Sequence, residues 1–310
     1  MLEHFDGAGV AEIFVNTETG VHERFCEFDT GKGGEPVRIV QITDVHFNLC
    51  DEQDMRDEEL ARTFEHRHWL ANGASAVSAE RAMNAAKGAD QIIVTGDTLD
   101  YLSHGAQVMT EKYIWGVDPD ALICLGGHDY TKEMQTGVPN TLPAEERLAM
   151  CASFWRHDIH YTSRTLGDKV TVVCVNNNGA YPACAVEPFL ADIADARKNG
   201  RIILIFGHEP ISTFNPADRA VSPIHRYDPY ELDYYAYKGC PEKEWDEPTT
   251  AFINAIRENA DVVKGIFCGH EHSAYYTEVI AADGTKIPQH VLEGNPYDNH
   301  SGHIMRITVK

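Results

Sequence analysis

Acidic and imidazole side chains recur where short apolar runs of this sequence end. The residues concerned are Asp44, His46, Asp97, His128, Asp129, His208, His270 and His272. Imidazole nitrogens and carboxylate oxygens together suit zinc, manganese, iron and similar ions, whereas magnesium or calcium sites built from oxygen ligands would not need so many histidines. The pattern therefore indicates the chemistry of a transition-metal centre.

The spacing within the motifs adds to this interpretation. Asp44 and His46 are two residues apart, as are His270 and His272, so each pair points to one side if the strand geometry continues. Asp97 is a lone carboxylate between the two pairs, and its two oxygens could bridge two ions. Two ions about 3.5–4 Å apart can clamp the attacking and leaving oxygens of a phosphoryl group.

The elements that must position these residues are buried strands. The predicted strands are residues 37–42, 91–94, 121–125, 170–175, 202–206 and 262–267. Each is short, rich in Ile and Val and nearly continuously apolar, which is typical of strands covered on both faces. Helices are predicted at 78–87, 143–157, 187–198 and 249–259. This alternation favours a layered α/β fold, in which ligands bind beyond the carboxyl ends of the strands.

The two ends of the chain carry a different pattern. Residues 12–15 and 23–28 flank Thr19-Gly20 and predict a hairpin within residues 1–36. The three C-terminal strands are predicted at 275–280, 289–292 and 304–309, as antiparallel members of a second sheet. We expect residues 1–310 to form one domain. Residues 51–76 and 212–248 lack clear periodicity and are predicted to be insertions that serve as lids or surface excursions.

The charge balance disfavours several classes of partner. Lys plus Arg number 26 and Asp plus Glu 48, so the formal charge of the 310 residues is −22. Such a chain has no global attraction for nucleic acid or for anionic membranes, and a small phosphoester is the substrate we expect. The sequence has no apolar stretch near the roughly 20 residues of a membrane span, no secretory signal and no Cys-x-x-Cys pair. We therefore expect a cytoplasmic location.

The order of the motifs resembles the calcineurin-like metallophosphoesterase superfamily, over residues 37 to about 275. The motifs are Asp44-x-His46, Gly96-Asp97-x-x-Asp100, Gly126-x-His128-Asp129, Gly207-His208-x-Pro210 and Gly269-His270-x-His272. The resemblance implies a four-layer αββα sandwich of two mixed sheets with a dinuclear metal centre. It also implies a hydrolase that cleaves a phosphomonoester or phosphodiester through a metal-bound water or hydroxide, with manganese, iron or zinc as the metal.

The resemblance further assigns a role to each motif residue. Asp44, His46 and His272 would hold one ion, and His208 and His270 a second ion, with Asp97 bridging the two. His128 would act as general acid or stabilise the transition state, oriented by Asp129. We expect Asp100 to hold a histidine ligand or the local turn.

One position departs from the family pattern. The third motif of the family usually carries an Asn whose carbonyl oxygen binds the second ion, and here that position is Gly127. A water or substrate oxygen could fill the place, an amide from residues 176–178 could reach in, or the centre could be mononuclear; we favour the first. The rival hypothesis is a degenerate metal-binding scaffold without catalysis. A TIM-barrel amidohydrolase is disfavoured because its His-x-His motif comes first, whereas here it comes last.

Overall fold

Two six-stranded sheets form the centre of the molecule. The computed structural model describes residues 13–16, 20–71, 74–134, 137–211, 246–272, 274–294 and 301–310. The strands are β1 (Ile13–Asn16), β2 (Val21–Phe28), β3 (Val37–Ile42), β4 (Gln91–Thr95), β5 (Leu122–Cys124), β6 (Tyr161–Leu166), β7 (Val170–Val175), β8 (Ile202–Phe206), β9 (Val263–Cys268), β10 (Tyr275–Ile280), β11 (Lys286–Val291) and β12 (Gly302–Val309). The α-helices are α1 (Glu58–Ala71), α2 (Ala74–Ala86), α3 (His104–Thr110), α4 (Ala144–Cys151), α5 (Ala183–Asn199) and α6 (Glu247–Glu258).

Both sheets mix parallel and antiparallel pairs. The first sheet has the order β1-β2-β12-β3-β4-β5, and the second has β10-β11-β9-β8-β7-β6. In the first sheet β3, β4 and β5 run parallel, and in the second sheet β7, β8 and β9 do. Because neighbouring parallel strands end at the same edge, the segments that follow them are brought close together.

Three apolar clusters define four layers. One cluster lies between the sheets and includes Ile39, Ile93 and Leu204. A second joins the outer face of the first sheet to α2, through Met83 for example. A third joins the second sheet to α5 and α6, where Phe189 and Phe252 stack with ring centroids 4.4 Å apart. The predicted αββα sandwich is therefore confirmed.

Local signals explain where the outer helices begin and end. Helix α5 ends at Asn199 and is followed by Gly200, whose φ of 62° is easily reached by a residue without a Cβ. Helix α6 begins after Asp246, whose side chain accepts a hydrogen bond from the backbone N–H of Thr249. The central strands β4, β7 and β8 are buried along their whole length, as their continuous apolar sequences predicted.

The structure corrects the prediction for the last strand. β12 does not join the second sheet but lies in the first, parallel to β2 and antiparallel to β3. β10 and β11 do pair antiparallel in the second sheet. The error arose because alternation of apolar residues identifies a strand but not its partner.

The N-terminal hairpin and the two predicted insertions have different outcomes. β1 and β2 pair antiparallel, as predicted. Residues 51–76 are largely helical and contain α1 and the start of α2. Most of the predicted insertion at 212–248 lies outside the described residues. None of the helices that the structure describes is both long enough and apolar enough to cross a membrane.

Candidate metal centre

Four strand ends bring the predicted ligands to one edge of the two sheets. β3 and β4 end side by side in the first sheet, and β8 and β9 do so in the second. The six predicted metal ligands follow these ends, namely Asp44, His46, Asp97, His208, His270 and His272. All six lie in the two clusters of ligand atoms described below.

Backbone hydrogen bonds hold the ligand loops against one another. Beyond β3 and β4 the ladder continues, because the N–H of Asp44 donates to Gly96 at 3.0 Å and that of His46 donates to Asp97 at 2.9 Å. The two sheets are also joined at the site, since the N–H of His270 donates to Oδ2 of Asp44 at 2.9 Å. The ligand positions are therefore fixed by the fold.

The backbone at the site is strained. Among the residues that the structure describes, the non-glycine residues with positive φ are Asp44, His46, Asp97, His270 and His272, with φ between 47° and 73°. Every one of them is a predicted metal ligand. A side chain in this region costs about 1–3 kcal/mol and persists where the surroundings enforce it, as they do at functional sites.

One group of ligand atoms, called site 1 here, consists of Asp44, His46, Asp97 and His272. The Nε2 atoms of His46 and His272 lie 3.0 Å apart. Oδ1 of Asp44 lies 3.1 Å from Nε2 of His272, and Oδ2 of Asp97 lies 3.7 Å from Nε2 of His46. Site 1 thus offers two nitrogens and two carboxylates.

A second group, called site 2, consists of Asp97, His208 and His270. Nε2 of His208 lies 3.2 Å from Oδ2 of Asp97 and 3.1 Å from Nδ1 of His270. Asp97 therefore belongs to both sites.

The geometry fits divalent transition metals. Within each site the ligand atoms lie within 4.8 Å of one another. Ligands that are each about 2.0–2.2 Å from one ion lie about 3 Å apart, the separation of the facing imidazole nitrogens. Without a cation, such nitrogens can only share protons among themselves and the carboxylates, whereas a cation satisfies all of the lone pairs together.

The carboxylates make the site strongly attractive to cations. Burial lowers the pKa of His46, but the carboxylates of Asp100, Asp44 and Asp97 outweigh it and raise that pKa to about 10. Burial likewise lowers the pKa of His208, but the carboxylates of Asp97 and Asp44 outweigh it and raise that pKa to about 10. A metal ion that binds here must therefore displace protons.

Two glycines allow the close approach of backbone to the ligands. A Cβ on Gly126 would overlap the carboxylate of Asp97. A Cβ on Gly269 would overlap Thr43 and the carboxylate of Asp44. Any larger residue at these positions would displace a ligand.

His128 lies beside the two sites but is held differently from the prediction. Its Nδ1 lies 2.8 Å from the carbonyl oxygen of Asp100, and its Nε2 lies 3.9 Å from Oδ2 of Asp97. The carboxylate of Asp129 instead accepts the N–H groups of Leu99 and Gly126, both at 2.8 Å. The prediction that Asp129 orients the ring is therefore corrected, because Asp100 holds the ring and Asp129 holds the turn beneath it.

An amide lies next to Gly127. A Cβ at Gly127 would be 3.2 Å from Nδ2 and 3.3 Å from Oδ1 of Asn178. Asn178 also donates a hydrogen bond to the hydroxyl of Tyr130. Asn177 faces elsewhere, since its Oδ1 accepts the N–H of His208 at 2.8 Å and fixes the loop of that ligand.

Sequence reasoning missed two residues that contact Asp100. Arg67 forms a two-point ion pair with Asp100, and Nδ2 of Asn48 donates to its Oδ2 at 2.6 Å. No spacing rule links them to Asp100, because the contact depends on how α1 packs.

The layered α/β architecture brings histidine and aspartate side chains together in groups that could hold metal ions. The sequence matches the calcineurin-like phosphoesterase family over residues 37–274, which is most of the chain. The chain therefore belongs to the calcineurin-like phosphoesterase family.

Comparison with solved structures adds distant likenesses. A dimetal phosphatase from Danio rerio is 12% identical with a TM-score of 0.49, and the match covers 86% of this chain and 90% of that chain. A purple acid phosphatase from seeds of yellow lupin (Lupinus luteus) is 10% identical with a TM-score of 0.47, covering 93% of this chain and 46% of that chain. The phosphopantetheinyl hydrolase from Mycobacterium tuberculosis is 13% identical with a TM-score of 0.42, covering 85% and 92%. No curated protein matches this chain.

Proposed function

We propose that the protein hydrolyses a small phosphomonoester or phosphodiester at a dinuclear metal centre formed by sites 1 and 2. The observation that carries the proposal is that Asp97 belongs to both groups of ligand atoms. Oδ2 of Asp97 lies 3.7 Å from Nε2 of His46 in site 1 and 3.2 Å from Nε2 of His208 in site 2. This carboxylate would therefore be shared between ions held in the two sites, as two-metal phosphoryl transfer requires. Manganese, iron and zinc suit this mixture of nitrogen and oxygen ligands.

The side chains that would hold the metals are those of the two sites. Asp44, His46 and His272 would bind one ion and His208 and His270 the other, with Asp97 between them. When bound, the ions would polarise the phosphoryl oxygens and lower the pKa of the attacking water.

His128 is the candidate for proton transfer to the leaving group. Its Nδ1 faces a carbonyl oxygen of Asp100, which only accepts, so that nitrogen carries a proton. The opposite nitrogen, Nε2, faces the shared carboxylate of Asp97. We therefore assign donation to the departing oxygen to the imidazolium form of His128, which carries a proton on both nitrogens. It would give up the Nε2 proton and remain as the neutral ring protonated on Nδ1, or would hydrogen-bond through Nε2–H to the charge that develops there. Asp129 would contribute by fixing the turn that carries His128.

Gly127 has no side chain to bind the second ion, so three alternatives follow. A water or substrate oxygen could take the place of the family's Asn ligand, or the amide of Asn178 could do so. Otherwise the centre would be mononuclear. The closeness of the Asn178 amide to Gly127 supports the second alternative.

The test is metal analysis combined with a panel of chromogenic phosphate monoesters and diesters. We expect the parent protein to bind two ions and to hydrolyse at least one substrate class. Asp97→Asn should bind at most one ion and lose activity by at least about 100-fold, because it removes charge from both sites. Asp283→Asn, at an exposed turn, is the matched control and should behave as the parent.

Two outcomes would contradict the proposal. Full activity in Asp97→Asn would exclude a bridging role for that carboxylate. Metal binding by the parent without hydrolysis of any phosphoester would favour the non-catalytic scaffold.

A further inference from the structure

Helix α1 places the positively charged guanidinium of Arg67 behind the candidate metal centre. Nε of Arg67 donates to Oδ2 of Asp100 at 2.8 Å, and Nη2 donates to Oδ1 at 2.5 Å. The side chains of Arg67 and Asp100 are only 13% and 2% exposed, so water screens this pair weakly. Such a two-point pair fixes the plane of the carboxylate as well as its position.

The same carboxylate holds two imidazoles of the centre. Oδ1 of Asp100 lies 3.0 Å from Nδ1 of His46 and 3.4 Å from Nδ1 of His128. Because Nδ1 of His46 is occupied by Asp100, its Nε2 is the nitrogen that faces site 1. The orientation of Asp100 therefore sets the orientation of a metal ligand and of the candidate acid together.

The side chain of Asn48 contacts both Arg67 and the carboxylate of Asp100. Its Nδ2 lies 2.6 Å from Oδ2 of Asp100 and 3.1 Å from the carbonyl oxygen of Arg67. Both oxygens of Asp100 thus have several donors, and the carboxylate has no freedom to rotate without losing some of them.

The position of α1 is itself coupled to the segment that follows His128. Oγ1 of Thr63 donates to the carbonyl oxygen of Lys132 at 2.7 Å, and Nζ of Lys132 lies 2.8 Å from Oδ2 of Asp57. The N–H of Thr141 donates to Glu59 at 2.6 Å. Helix α1 is therefore anchored to the scaffold, which suits a role in holding Asp100 in place.

We infer that Arg67 is a positioning residue: its guanidinium fixes Asp100 in the orientation that presents His46 to site 1 and His128 to the substrate. The inference rests on the proposed function only in that the site holds metal. Arg67 also supplies positive charge to the buried carboxylate of Asp100. Removing the guanidinium would leave Asp100 buried with weaker compensation.

The first test uses Arg67→Met, Arg67→Lys and a matched control, Arg62→Met. Arg62 lies on the same helix and pairs with the buried Glu133, but it does not contact Asp100. Metal affinity is measured by competition with a chromogenic chelator. We expect Arg67→Met to bind zinc about 10- to 100-fold more weakly, Arg67→Lys to recover part of the loss, and Arg62→Met to match the parent. Parental affinity in Arg67→Met would overturn the inference.

A second readout does not depend on metal binding. The imidazole N–H signals of His46 and His128 are followed by nuclear magnetic resonance in chelator-treated protein, assigned with His46→Gln and His128→Gln. We expect Arg67→Met to shift or broaden both signals and Arg62→Met to leave them in place. Unchanged signals in Arg67→Met would overturn the inference, whether or not the parent protein binds metal. Failure of the parent protein to bind metal would contradict only the proposed function.

A double variant separates positioning from direct contact with the substrate. If Arg67 acts through Asp100, Arg67→Met should add no further loss of metal affinity or of kcat to Asp100→Asn. A further rise in KM in the double variant would indicate that Arg67 binds the phosphate itself, and would overturn the positioning role.

Discussion

Sites 1 and 2 share Asp97 but differ in charge and in what lies behind their histidines. Site 1 has a second carboxylate, Asp44, whereas site 2 has none among its described ligands. Nδ1 of His46 in site 1 contacts the charged side chain of Asp100, and Nδ1 of His208 in site 2 contacts the neutral carbonyl oxygen of Thr95 at 2.8 Å. A carboxylate behind an imidazole makes it a stronger ligand, so site 1 should bind its ion more tightly.

The largest expected effect comes from removing the charge that distinguishes site 1. Asp44→Asn should lower hydrolysis by about 1000-fold, because the ligand loses its charge and because Asp44 also receives the N–H of His270. His270→Gln should empty site 2 alone, leave one ion per chain and cost less activity. Metal content and single-substrate kinetics check this, and equal losses in the two variants would contradict the asymmetry.

A smaller loss is expected when the shared ligand is displaced without being removed. Gly126→Ala would push a Cβ into the carboxylate of Asp97, and a shift of about 1 Å costs about 100-fold in rate. Both sites should weaken together in a metal titration. Gly33→Ala, which meets nothing within 4 Å, should have no effect. Weakening of only one site by Gly126→Ala would mean that Asp97 serves that site alone.

The substitution Asn178→Ala tests how site 2 is completed. If the amide contributes in place of the residue missing at Gly127, affinity at site 2 should fall about tenfold while site 1 is unchanged. Isothermal titration with zinc resolves the two steps. Unchanged affinity at both sites would mean that Asn178 is not a ligand and that a water or substrate oxygen completes site 2.

A further effect concerns pH and is common to both sites. His46 and His208 have folded-state pKa values of about 10, above the usual 6.5, so their protonation stabilises the metal-free protein fully below pH 6.5. That contribution is lost as the pH rises towards 10, so the melting temperature of chelator-treated protein should fall over this interval. Metal affinity should rise over the same interval because fewer protons must be displaced.

His290 provides the control for this pH dependence. Burial lowers its pKa to about 4, so it is neutral throughout the interval from pH 6.5 to 10. His290→Asn should therefore leave the slope of melting temperature against pH unchanged, whereas His46→Gln should reduce it. An unaltered slope in His46→Gln would contradict the raised pKa.

The ligands could be predicted from sequence because each follows a strand that is itself recognisable. An apolar run fixes where a strand ends, and neighbouring parallel strands bring their ends together, which predicts that Asp44 lies near Asp97 and that His208 lies near His270. That these two pairs meet across the two sheets was implied by the family resemblance. Arg67 could not be predicted, because its contact with Asp100 depends on the packing of a helix in a segment without clear periodicity. The partner of His128 was predicted wrongly because the adjacent Asp129 turns its side chain towards backbone N–H groups, which sequence proximity does not reveal.

The place of β12 in the first sheet has a consequence for biosynthesis. Met305 pairs with Gln41, so the neighbour of β3 comes from a segment that leaves the ribosome long after β3 itself. A nascent chain that has emerged only as far as β11 presents β2 and β3 with unpaired edges, which are templates for intermolecular pairing. Until β12 inserts between them, the loop that begins at the end of β3 is attached to an incomplete sheet. We therefore expect a chaperone that shields such edges to raise the yield of active protein.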